Sequence, residues 1–132
     1  MFENIMVPVD GSEYNDKAIE VAIEMASKFY SKIIAVHILS DNSINSYFDE
    51  EDKGNEILAN VTLKAKEKNI DVIEHLITGD PLRDMRTVIR KSNADLVVIS
   101  SHGSDGSKSE NILGSVVERV LKSSEIPVLL IK

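Results

Sequence analysis

Apolar residues fall along this chain in two alternating kinds of segment. Short unbroken runs at residues 5–9, 33–39, 96–99 and 127–131 leave no regular polar positions and read as buried strands. Residues 71–77 are predicted as a further strand. Between these runs the apolar residues recur at helical spacing. Ala18, Ile19, Ala22, Ile23, Ala26 and Phe29 mark a first helix, and Ile57, Leu58, Val61 and Ala65 a second. Leu82, Met85, Val88 and Ile89 mark a third, and a fourth runs from Ser115 to about Lys122. Ser12 is read as the N-cap of the first helix. Asp80 caps the third, with Pro81 at the first helical position, where no N–H is needed. Ser115-Val116-Val117-Glu118 has the form of a capping box for the fourth. Residues 40–55 show no clear period. They are polar and carry Asp49-Glu50-Glu51-Asp52, which predicts a long solvated loop or a partly ordered lid.

Strands alternating with helices predict an α/β fold with a doubly wound parallel sheet of five strands, helices on both faces, in one Rossmann-like domain over residues 1–132. The commonest strand order for such a pattern, 3-2-1-4-5, puts the reversal of order between the first and fourth strands, where open parallel sheets bind ligands. Two loops then face one crevice: Asp10-Gly11-Ser12, and the glycine- and serine-rich stretch from Ser100 to Ser115.

Composition narrows the function classes. Twenty-two Asp and Glu against 15 Lys and Arg give a net charge of −7, which argues against non-specific nucleic-acid binding. No apolar run approaches the roughly 20 residues of a membrane-spanning helix. The N-terminus lacks the basic flank and apolar core of a signal peptide, and there is no cysteine, so a cytoplasmic protein is expected.

Each loop offers distinct chemistry. Gly103, Gly106 and Gly114 allow backbone N–H groups to approach an anion closely. Ser115 opens a helix whose unsatisfied N–H groups carry partial positive charge, and its hydroxyl serves as a helix cap, a phosphate donor, or both. Asp10 is an acceptor suited to ribose hydroxyls, or alternatively the start of a turn. Lys108 is either solvated or within reach of a phosphate. Several signatures fail. Lys108-Ser109 lacks both glycines of a Walker loop, G-x-G-x-x-G is absent, and there is no Gly-x-Ser-x-Gly elbow. His37, His75 and His102 lie on separate segments and form no local metal motif. No catalytic residue is assigned; a hydrolase built on Ser101, His102 and Asp10 is the enzymatic alternative.

Three stretches, IMVPVDGSE, LITGDPLRDMRTVIRKSNADLVVISSHG and ILGSVVERVLKSSEIPVLLIK, resemble the universal stress protein family over essentially the whole chain. The resemblance implies a five-stranded parallel sheet and a homodimer, with the C-terminal edge strand, residues 127–131, as the expected contact. Some members of that family bind ATP and others bind none. The binders carry Gly-x-x-Gly, nine residues, then Gly-Ser or Gly-Thr. That pattern falls here on Ser100, Gly103, Gly114 and Ser115, with serine at the first glycine position and ten residues between Gly103 and Gly114. The resemblance further implies Asp10 as the ribose contact, Ile38 and Ile99 as the backbone flanking adenine, and Pro8 and Val116 as neighbours of the ligand. The expected ligand is an adenine nucleotide such as ATP with Mg²⁺, hydrolysed slowly at most because no general base or arginine finger is evident. The alternative is a nucleotide-free dimeric interaction module.

Overall fold

A computed structural model describes residues 1–40, 47–102 and 114–132. In chain order the elements are β1 (Asn4–Pro8), α1 (Asn15–Phe29), β2 (Lys32–Ser40), α2 (Tyr47–Lys66), β3 (Val72–Gly79), α3 (Pro81–Lys91), β4 (Leu96–Ser100), α4 (Ser115–Ser123) and β5 (Val128–Ile131). Every strand pair is parallel and the order is β3-β2-β1-β4-β5, the arrangement the alternation predicts.

Successive side chains in a strand point to opposite faces, so each central strand feeds two cores. On one face Ile5, Val7, Ile33 and Val98 pack with Ala18, Ile19 and Ala22 of α1 and Leu58, Val61 and Ala65 of α2. On the other, Met6, Ile34, Val36 and Val97 pack with Met85, Val88 and Ile89 of α3 and Val117 and Val120 of α4. The edge strands depart from the continuous burial expected of them. Ile73, Glu74 and Thr78 of β3 are exposed, and all four residues of β5 are only half-buried. Each has a strand on one side only, so its covering is incomplete.

The acidic segment is where the sequence reading fails most clearly. Residues 47–55 are not loop: they form the first turns of α2. The buried stripe of that helix is Gly54, Leu58, Val61 and Ala65, and its first member is a glycine, which carries no apolar signal. A Cβ on Gly54 would come within 2.6 Å of Leu76 Cδ1 and 3.0 Å of His37 Cδ2. The helix therefore crosses β2 and β3 in close contact at the one residue without a side chain. Asp49 and Glu50 lie in the first turn, where the helix dipole favours negative charge. Residues 41–46 of the expected loop lie outside the described residues.

Helix starts also differ in part. The α1 helix begins at Asn15, so Ser12 is not its side-chain cap. The Ser12 carbonyl accepts the Asn15 N–H at 3.1 Å, while its hydroxyl is buried with no hydrogen-bond partner. In α4, Gly114 holds the N-cap position and Ser115 is the first helical residue. That shift moves Glu118 one position beyond the one that reaches back in a capping box, and its carboxylate instead accepts from Lys122 Nζ at 2.8 Å. The third helix starts as expected: Asp80 Oδ1 accepts from Leu82 N at 2.8 Å and Arg83 N at 3.1 Å, with Pro81 just inside. Leu82, however, is exposed, and the buried face begins at Met85.

Candidate functional site

The chain leaves β1 for α1 on one face and leaves β4 for α4 on the other. A crevice opens between those two departures, at the C-terminal ends of β1, β2 and β4. It holds a cavity of about 230 Å³. Pro8, Asp10, Ile38, Ile99, Ser100, Gly114 and Val116, all singled out in the sequence, line it. Ser115 begins the helix that borders it. Gly103, Gly106 and Lys108 lie outside the described residues.

One end of the cavity is apolar. Val36 and Ile38 of β2, Ile99 of β4, Pro81 and Met85 of α3, and Val117 of α4 form an apolar slot. The peptide groups along that slot follow from strand parity. Val9 N–H donates to Val36 O at 2.8 Å, so even-numbered residues of β2 turn their peptide groups toward β1. Register between β1 and β2 ends at Pro8 and Val36. Ile38, two residues on, therefore directs its N–H and C=O past the end of β1, into the crevice. In β4 the parity runs the other way for Ile99. Val97 N and Ser101 N donate to Pro127 O and Ile131 O of the β5 side, so Ile99 reaches the cavity through its side chain.

The other end is polar, and its two sides differ in chemistry. On the β1 side three consecutive N–H groups are already used. Asp10 N and Gly11 N donate to Asn15 Oδ1 at 2.7 and 3.2 Å, and Ser12 N donates to Asp10 Oδ1 at 2.9 Å. The backbone donors of this loop are therefore spent within it, and Asp10 lines the cavity beside them. Gly11 makes the turn possible with φ of +85°. On the β4 side the first intrahelical bond of α4 is Glu118 N to Gly114 O at 3.0 Å, so the N-terminus of the helix faces this side of the crevice. That end attracts negative charge.

Ser100 does not strain the backbone as a glycine position held at positive φ would. It is the last residue of β4, and its φ is not positive. Its side chain points to the α1 face, where its hydroxyl accepts from Asn15 Nδ2 at 3.1 Å and donates to His102 O at 2.9 Å. Ser101 Oγ lies 2.9 Å from His102 Nδ1, but Ser101 is buried and does not line the cavity. The His102 ring packs at a tilt against Tyr14, with centroids 5.6 Å apart. No group of three or more His, Cys, Asp or Glu able to hold a metal occurs among the described residues.

Sequence reasoning missed Asn15, His37, Pro81 and Met85 as members of the site. His37 sits half-buried with Nδ1 2.8 Å from Val9 O. Pro81 and Met85 were legible as a helix start and a core position, and only the sheet order brings α3 over the crevice. Asn15 carried no motif.

Comparison with known proteins shows the family and the fold. The model of the universal stress protein family matches residues 1–132. A universal stress protein of Methanocaldococcus jannaschii is 29% identical, over 100% of this chain and 83% of its own length. One of Bacillus subtilis is 27% identical over 100% of both chains. Two solved structures share the fold. One is a universal stress protein in complex with cAMP (TM-score 0.80, 24% identity, 99% of this chain and 97% of that one). The other, from Archaeoglobus fulgidus, is in complex with dAMP (TM-score 0.79, 22% identity, 99% and 98%).

Proposed function

The chain belongs to the universal stress protein family, and we propose that within it this protein is a dimeric regulatory module that binds an adenine nucleotide. One observation carries the reading: a single crevice is lined by the apolar side chains of Ile38, Ile99, Pro81 and Met85, by Asp10, and by Gly114 and Val116 at the start of α4. Adenine fits the slot between Ile38, Ile99, Pro81 and Met85, its edge read by the N–H and C=O of Ile38. Asp10 accepts from the ribose hydroxyls. The phosphates meet the N-terminus of α4 at Ser115 and Val116, with Gly103 and Gly114 allowing the backbone to approach them. Mg²⁺, in this reading, accompanies the phosphates. The cAMP and dAMP complexes of proteins with this fold support the ligand class.

The module is a binder rather than an enzyme, with at most slow hydrolysis, and it works in the cytoplasm. No helix among the described residues is long and apolar enough to cross a membrane. Its dimer forms through β5, an apolar edge strand only half-buried in one chain. Ser100 at the first glycine position favours a second reading, a nucleotide-free interaction dimer. Calorimetric titration of MgATP into nucleotide-stripped protein separates the two. The first reading expects saturable binding that Asp10→Ala weakens about tenfold or more. No heat up to millimolar nucleotide, with an unchanged melting temperature, refutes it. Light scattering at micromolar concentration tests the dimer, and a monomer mass rejects it.

A further inference from the structure

Asn15 and Ser100 are 85 residues apart, and their side chains meet beneath the crevice. Both are 5% exposed. Their bonds form one chain: Asp10 N and Gly11 N donate to Asn15 Oδ1, Asn15 Nδ2 donates to Ser100 Oγ, and Ser100 Oγ donates to His102 O. The amide can point only one way, because the flipped form would set its NH₂ against two N–H donors. The serine hydroxyl uses its proton on His102 O and accepts from the amide. Buried polar chains of this kind are costly unless complete, and a complete one fixes geometry more narrowly than apolar packing does. Here it ties the loop carrying Asp10 to the end of β4, beneath the crevice.

We propose that Asn15 and Ser100 form a positioning strut that holds the Asp10 carboxylate in register with the β4 side of the crevice and so sets its recognition of ribose hydroxyls. In this chain the serine at the family's first glycine position contributes to the site through that strut. The proposal deepens the nucleotide-binding reading and rests on it for its ligand. The strut itself is measurable without one.

Two readouts test it on the full-length protein. In the ligand-free state, amide hydrogen exchange is followed by NMR in wild type, Ser100→Ala, Ser100→Gly and Ser100→Thr. Ser100 bonds neither the Asp10 nor the Gly11 amide, so faster exchange at those two sites reports transmission through Asn15. About tenfold faster exchange is expected in the alanine and glycine variants, with wild-type rates in the threonine variant, which keeps the hydroxyl. Unchanged rates in Ser100→Ala, or a threonine variant that behaves like alanine, overturn the strut. The second readout is the ratio of the dissociation constants of 2′,3′-dideoxy-ATP and ATP. Loss of the strut should lower this ratio several-fold, whereas a general loosening weakens both ligands equally and leaves it unchanged; an unchanged ratio overturns the role in ribose recognition. Should wild type bind neither nucleotide, the ligand reading and the ribose role fail together, and the exchange rates still decide the strut.

Discussion

Replacing Asp80 by Ala tests how α3 is started, and α3 supplies Pro81 and Met85 to one wall of the crevice. The Asp80 carboxylate accepts two first-turn N–H groups, from Leu82 at 2.8 Å and Arg83 at 3.1 Å. Both bonds are exposed, so water takes over part of their work. The expected cost is about 1 kcal/mol, within the usual 0.5–2 kcal/mol for a lost N-cap. At roughly 2.1 cal/mol/K of unfolding entropy per residue, 132 residues convert that to a melting temperature about 4 °C lower. Asp80→Asn keeps the cap and loses the charge facing the helix dipole, so it should cost only some tenths of a kcal/mol. The bond is reciprocal, because Asp84 Oδ2 accepts the Asp80 N–H at 2.9 Å. The Arg83 hydrogen bond first, and then this N–H, hold the Asp84 carboxyl down at about 2, against an ordinary 3.8. A carboxyl lowered in the folded state stabilises above its unfolded value, and that contribution disappears as pH falls from about 3.8 toward 2. Urea unfolding between pH 2 and 7 measures both effects. Asp84→Asn should flatten the acid limb, and Asp80→Ala should lower the midpoint at pH 7 with an unchanged slope. An Asp80→Ala loss below about 0.3 kcal/mol would refute the capping argument.

Three further outcomes follow from the packing. Gly11 has φ of +85°, and a Cβ there would come within 2.8 Å of Ile57 Cδ1, so Gly11→Ala should cost about 1–2 kcal/mol by thermal unfolding; an unchanged melting temperature contradicts the strained turn. Leu58, 1% exposed on the buried face of α2, should lose about 2–5 kcal/mol on change to Ala by urea unfolding; a loss under about 1 kcal/mol means that α2 is not docked as described. Glu118→Ala removes an exposed pair with Lys122 rather than a helix cap, so the melting temperature should stay within about 1 °C; a drop of several degrees would reinstate the capping box.

The sequence by itself determined the class of fold and pointed to the two loops that border the candidate crevice. Unbroken apolar runs alternating with 3.6-residue stripes leave little besides a parallel sheet covered on both faces, and strand–loop–helix passages at Asp10 and Ser100 mark the ends where ligands bind. Asp80-Pro81 was equally legible, because a cap and its helix lie within four residues of one another. What the tertiary structure decided depends on residues distant in sequence. The start of α2 was hidden because the first buried residue among those whose burial is described is Gly54, whose role is the absence of a side chain against Leu76 and His37, a contact that exists only once β2 and β3 are paired. The serine at the first glycine position, read alone, is only a departure from the binders' pattern. It becomes a bonded part of the site only when β1 and β4 lie side by side and Asn15 reaches across. Periodicity is local and survives in one dimension; a hydrogen bond spanning 85 residues has no local trace, and only the folded sheet brings its two ends together.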